Sequence, residues 1–410
     1  LLPSEGDNLD VWGHKYLFLI LVLTGCGGSD ESTDPRAVEA LNQACVEGRI
    51  SGEFVVKMSD GSFELITAVS KKHLLKKIKN SKFKVKAESF EPNFRVIDRS
   101  SFSKIDLHSN QNDDYSEGPL FINADYLWDR GFKGAGAVTA LIDSGYDFNH
   151  LLLEGSVLEN VFDLGDDEDR NGFKGDRFGW DSFNNRPLTG DLGKHGTYVG
   201  SVIAGAHTNG IRLSVAPDSK IVPIAALQSS ENGETDATGD SNSIIKAIDY
   251  AISRNVDFIN ASWGGDLCSN FIRERIRAAT DSGIVFITSA GNAAADLDKV
   301  ISFPASLPFE LLLSVGSSKL DQNRESNSNF GNPVDFFALG KNVVVASPQN
   351  QLGSVTGTSV ATPFITGGLA LLKSAFPEAS SEALIRALHE SKNDKKIPDL
   401  KKAYLELEQL

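Results

Sequence analysis

From residue 119 onward the chain alternates short apolar runs with longer amphipathic ones. The runs 137-AVTALI-142, 219-SKIVPIAAL-227, 256-VDFINAS-262, 283-GIVFITSA-290 and 311-LLLSVG-316 have the length and apolar continuity of strands buried on both faces. Between them, 243-SIIKAIDYAI-252 repeats apolar residues at three- and four-residue spacing behind Asp240 and Ser241, and 271-FIRERIRAATDSG-283 ends in glycine; both read as helices. The alternation predicts an α/β fold: a doubly wound, mainly parallel sheet with helices on both faces. In such sheets functional groups gather outside the carboxyl ends of the strands.

Upstream the pattern changes. In 51-SGEFVVKMSDGSFELI-66 two strands flank an Asp60-Gly61 turn, 70-SKKHLLKKIKN-80 reads as a short basic helix, and 83-FKVKAESFEPNFRVI-97 returns to strand. This makes a compact α+β unit over 51–105, joined by the polar stretch 106–118 to the large domain at 119–410. Residues 27–50 are polar, Gly- and Ser-rich at first, and read as a tether. Before them, 16-YLFLILVL-23 behind Lys15 is shorter than the roughly 20 residues a bilayer requires, but suits the core of a signal peptide over 1–26.

With 410 residues, 40% of them hydrophobic, the chain can bury the core of one large domain plus an accessory one. A net charge of −15 argues against a nucleic-acid partner. The average hides an asymmetry, because residues 48–107 carry an excess of Lys and Arg and precede a strongly acidic body. Of three cysteines, Cys26 ends 23-LTGC-26, which resembles the lipobox of bacterial lipoproteins. That resemblance implies lipidation of Cys26, export, and a membrane anchor on the periplasmic or cell-surface side. Export would place Cys45 and Cys268 where disulfides persist, so they are either a tethering bridge or two unpaired thiols.

Candidate chemistry lies at the strand ends. Asp143 follows a fully apolar strand in 141-LIDSG-145, where a carboxylate is costly unless hydrogen-bonded. His195 stands between glycines in 193-GKHGTYVGSVIAG-205. Ser359 lies in 357-GTSVATPFITGGLALL-372, ahead of a helix expected to start at Val360, with its positive end toward the serine and Pro363 in its first turn. A serine nucleophile needs a base to take its proton and a carboxylate to orient that base. Asn292 in 289-SAGN-292 offers an amide donor for a developing oxyanion.

Together 141-LIDSG-145, 194-KHGTYVGSVIAG-205, 289-SAGN-292 and 357-GTSVATP-363, in that order, resemble the subtilisin-like serine proteases, or subtilases, over about residues 119–391. Val360 departs from the methionine that is usual after the serine. The resemblance implies a serine endopeptidase acting on protein or peptide substrates, with Asp143, His195 and Ser359 catalytic and Asn292 in the oxyanion hole. It also implies that Gly239 and 262-SWG-264 (Ser262, Trp263, Gly264) pair with the substrate backbone. The basic 51–105 unit resembles the family's propeptide, an intramolecular inhibitor removed by cleavage in the 106–118 region. A serine esterase or amidase, and a catalytically silent lipoprotein binding module, are the alternatives.

In 166-DDEDRNGFKGDRFGWD-181, Asp167, Asp169 and Asn171 alternate before a glycine as in a calcium loop, with Asp176 as a further ligand and no closing glutamate. Structural calcium is the one cofactor implied; a solvated acidic loop is the alternative. His150 and Trp180 read as structural, and His389 as a surface residue on a helix that begins near 380.

Overall fold

A computed structural model describes residues 49–80, 86–97, 101–104, 117–163, 165–208, 211–229, 237–265 and 269–409. Cys26, Cys45, Cys268, the signal-peptide reading and most of the 106–118 stretch lie outside these residues.

The N-terminal unit runs β1 (Arg49–Met58), β2 (Phe63–Thr67), α1 (Lys71–Asn80), β3 (Ala87–Ile97) and β4 (Ser101–Lys104). After α2 (Glu117–Phe121) and α3 (Asp125–Trp128) come β5 (Val138–Asp143), β6 (Trp180–Asp181), β7 (Arg186–Pro187), α4 (His195–Ile203) and β8 (Lys220–Ala225). The chain continues through β9 (Leu227–Ser229), β10 (Ala237–Asp240), α5 (Ser241–Ser253), β11 (Phe258–Ala261), α6 (Asn270–Asp281), β12 (Val285–Ser289) and β13 (Leu312–Ser318). It closes with β14 (Phe336–Leu339), β15 (Val343–Ser347), β16 (Gln351–Thr356), α7 (Thr358–Ala375), α8 (Ser381–Ser391) and α9 (Leu400–Leu407).

The main sheet has the order β14-β13-β12-β11-β5-β8-β6-β7 and is parallel except at β7. From β5 the chain first builds outward to β8, then crosses back to β11 on the other side. That reversal makes β5 a switch point, and Asp143 ends it. Successive strand residues face opposite layers, as period-two geometry requires. Phe258, Val285, Ile287 and Leu313 join a core with α7, α8 and α9; Ile259, Phe286 and Leu312 join a second core with α5 and α6. The doubly wound α/β architecture is therefore as the apolar runs indicate.

Two expectations need correction. The helix expected from Val360 starts at Thr358, so Ser359 lies inside its first turn and Pro363 falls in the second. His389, read as a surface residue, is half-buried with its ring 4.6 Å from that of Phe336. Among the described residues no helix is long and apolar enough to cross a membrane.

Candidate active site

Asp143 and His195 meet because two glycines let their backbones approach. A Cβ on Gly196 would lie 2.0 Å from the carbonyl oxygen of Gly145, and one on Gly145 would lie 2.4 Å from that of Gly190. This draws the first turn of α4 onto the loop after β5. His195 Nδ1 then donates to Asp143, 2.9 Å from Oδ1 and 3.0 Å from Oδ2, with both residues fully buried. Asp143 Oδ1 also accepts from the Ser144 amide at 2.7 Å. Its buried charge thus has the donors that a strand-end carboxylate requires.

Asp191 organises the same turn and was not singled out by sequence. Its carboxylate accepts from the amides of Gly193 (2.9 Å), Lys194 (2.8 Å) and Thr197 (2.9 Å), and from the hydroxyls of Ser144 (2.7 Å) and Thr197. It satisfies amides at the start of α4 and stands at a helix N-terminus, where negative charge is favoured. Its position four residues before the histidine was the available signal.

Ser359 is buried, and its Oγ has no hydrogen-bond partner among the described residues. Pro363 has no N–H to donate to the carbonyl four residues back, that of Ser359. Ser262 Oγ donates to this oxygen instead, at 2.7 Å. Ser262 in turn accepts from Asn260 Nδ2 at 2.9 Å, and Asn260 Oδ1 accepts from Thr366 Oγ1 at 2.8 Å. A buried polar relay from β11 therefore fixes the turn that carries Ser359.

Asn292 Oδ1 accepts from the Thr358 amide at 2.9 Å and from Thr358 Oγ1 at 3.0 Å. These bonds leave the NH2 end of the amide turned away from Thr358. The Trp263 side chain points inward, donating from Nε1 to the Ile142 carbonyl at 2.8 Å. Gly264 runs close to Phe303, where a Cβ would come within 2.9 Å of the carbonyl oxygen.

Two strands from the N-terminal unit pair with strands of the large domain. β3 pairs antiparallel with β10, Val96 opposite Gly239 and Ile97 opposite Thr238, which extends the N-terminal sheet onto the large domain. β4 pairs antiparallel with β16, Ser101 opposite Thr356, immediately before the turn that carries Ser359. Side chains of β3 cap two helices of the large domain. Asn93 Oδ1 accepts from Ser241 Oγ (2.7 Å) and the Asn242 amide (3.2 Å) at the start of α5. Glu91 accepts from Ser269 Oγ and from the amides of Asn270 (3.0 Å) and Phe271 (3.4 Å) at the start of α6. Glu91 is buried, and that burial pushes its carboxyl up to about 7.

In the acidic loop, carboxylate oxygens of Asp163, Asp167 and Asp169 lie within 4.8 Å of one another. Asp163 was missed by sequence because it stands outside the alternating motif. It is fully buried, and its Oδ1 has no hydrogen-bond partner among the described residues. Burial first, and the neighbouring Asp176 carboxylate next, hold it above the usual carboxylate range. Asn171 directs its amide nitrogen to Asp169 (3.1 Å) and Asp176 (3.0 Å), while its Oδ1 accepts from the Phe173 amide. Asp176, beside Asp163, is held by Tyr250 Oη at 2.6 Å, Asn160 Nδ2 at 2.7 Å and Arg254 Nη1 at 3.4 Å. The structure thus gathers Asp167 and Asp169 with Asp163, and gives Asn171 and Asp176 framing positions.

Residues 134–404 match the subtilase family. The chain is 29% identical over 270 residues to the major intracellular serine protease of Bacillus subtilis (strain 168), covering 65% of this chain and 78% of that protein. It is 31% identical over 266 residues to subtilisin DY of Bacillus licheniformis (64% and 86%), and 28% identical over 279 residues to thermitase of Thermoactinomyces vulgaris (68% and 88%). With the doubly wound sheet and the strand-end motifs in the family's order, the chain belongs to the subtilase family and is a serine endopeptidase.

Proposed function

We propose that Asp143, His195 and Ser359 are the catalytic triad of this protease. The observation that carries the reading is the His195 Nδ1 bond to Asp143, which leaves Nε2 as the basic nitrogen. Ser359 Oγ attacks the scissile carbonyl carbon and passes its proton to His195 Nε2, while Asp143 stabilises the resulting imidazolium. The oxyanion is held by the Asn292 NH2 group and the amide of Ser359 in the first turn of α7. As the C–N bond breaks, the imidazolium returns the proton to the leaving amine, giving an acyl-enzyme. A water, deprotonated by His195, then releases the acid and regenerates the serine.

The N-terminal unit up to the cut acts as a propeptide inhibitor, and together with β4 it approaches the site as a substrate does. The pairing of β3 with β10 at Gly239, and of β4 with β16 at Thr356 just before Ser359, supports this reading. Maturation cleavage accordingly falls between Ile97 and Ser101, upstream of the 106–118 region suggested by sequence. Cys26 carries a lipid that anchors the exported precursor, and a Cys45 to Cys268 bridge is one way to keep the cut protease attached.

Structural calcium fits the acidic loop, because Asp163 brings a buried oxygen without a partner to two further carboxylates. Asp163, Asp167 and Asp169 would hold the ion, and Asn171 and Asp176 brace them. Its contribution when bound is to offset the repulsion among these carboxylates and fix the loop.

The experiment is labelling of the purified protein with a fluorophosphonate. The reading expects a single adduct on Ser359, absent from Ser359→Ala and strongly reduced in His195→Ala. Peptide cleavage by Ser359→Ala at the parent rate would overturn it.

A further inference from the structure

β4 has the alternation of a strand laid on a half-buried edge: Ser101 and Ser103 are exposed, and Phe102 between them is turned inward. Phe102 stands opposite Val355 of β16. Its ring stacks on that of Tyr198, with centroids 4.9 Å apart and planes within 5°. Below it is Gly353, whose missing side chain makes the room. A Cβ there would lie 2.2 Å from Phe102 Cε2 and 2.6 Å from Cζ. The Tyr198 ring has a second neighbour, His195, edge-on with centroids 6.4 Å apart. The aromatic ring of β4 is therefore seated one side chain away from the histidine of the site.

We infer that the recess bounded by Gly353, Val355 and Tyr198 is a substrate pocket for an aromatic side chain on the leaving-group side of the scissile bond. The inference rests on the proposal that β3 and β4 lie along the path of a substrate. A substrate peptide would take the place of β4, add as an antiparallel strand to the edge of β16, and insert one flat ring between Tyr198 and Gly353. Backbone pairing at this edge is indifferent to sequence, so the ring supplies the selectivity. Offset or parallel stacking on Tyr198 adds to the burial of the ring itself. Because the cut falls between Ile97 and Ser101, Phe102 stands two to five residues beyond it. The favoured peptides are those with Phe, Tyr or Trp in that window.

The test uses the active protein and internally quenched peptides of one sequence, in which a single Phe is walked through the second to fifth positions after the cleaved bond. One position should raise kcat/KM over the all-Ala peptide by about tenfold or more, the scale of a filled apolar pocket. Gly353→Leu fills the recess and should reduce that ratio to within about twofold. Tyr198→Leu, which removes the stacking face and leaves the space, should lower it by a smaller factor and carries the test if the first variant does not accumulate. Equal rates for every position in the parent protein, or an unchanged ratio in the variants, would overturn the pocket. Absence of any peptide cleavage by the parent would instead count against the protease reading on which the pocket depends.

Discussion

The hydroxyl of Ser262 donates to the carbonyl oxygen of Ser359 at 2.7 Å, taking the place of the amide that Pro363 lacks. A proline in the second turn of a helix removes one bond of the ladder, and the orphaned carbonyl here belongs to the nucleophile candidate. Ser262→Ala should leave that buried oxygen unsatisfied and lower stability by about 1–3 kcal/mol. Thermal unfolding of Ser262→Ala beside the parent checks this; coincident transitions would show that another donor suffices.

Asp191 should matter to His195 without touching a substrate. Its carboxylate holds three amides and two hydroxyls around the start of α4, so Asp191→Ala should destabilise by about 2 kcal/mol or more, beyond a single lost cap. The loosened imidazole should lower kcat while KM for a short peptide stays near the parent value. A variant with parent kcat and lower stability would confine Asp191 to a structural role.

For the acidic loop, removing calcium with a chelator should lower the thermal midpoint, since the ion binds the native state alone. Asp163→Ala should lower the midpoint in the presence of calcium and make the chelator redundant. Identical midpoints with and without chelator in the parent would favour the solvated loop.

Glu91 gives the docked N-terminal unit a pH dependence with a definite sign. Its carboxyl is raised by burial from 4.5 to about 7. The docked form therefore binds the proton more tightly than the free one. This contribution is fully present below about 4.5, is lost as pH rises toward 7, and is worth about 3 kcal/mol at most. Calorimetry on the uncut Ser359→Ala chain should show stability falling across that window, and Glu91→Gln should flatten the slope. Stability that rises across the window in the Ser359→Ala chain alone would mean that the helix amides hold Glu91 charged.

Much of this site is legible along the chain, for a physical reason. Asp143, Asn292 and the strands behind them are local: an apolar run ends, and a polar group stands at its carboxyl end. The start of α7 was misplaced by two residues because Gly357 and Thr358 suggest a loop, while the helix begins as soon as Asn292 accepts from the Thr358 amide. Relations between distant segments left no local trace. Nothing in 260-NASWG-264 announces that Ser262 will substitute for the donor missing at Pro363. Asp163 lies outside the acidic motif, and only folding brings it against Asp167 and Asp169. The edge pairing of β4 with β16 spans some 250 residues, and periodicity within either strand is silent about it.

The central claim is that Ser359, served by His195 and Asp143, cleaves peptide bonds, its own chain first. Intact-mass analysis and N-terminal sequencing of the purified parent and of Ser359→Ala test it most directly. The parent should yield a fragment beginning at residue 98, 99, 100 or 101, and Ser359→Ala should remain one uncut chain. The same cut in Ser359→Ala, made without any added protease, would contradict the claim.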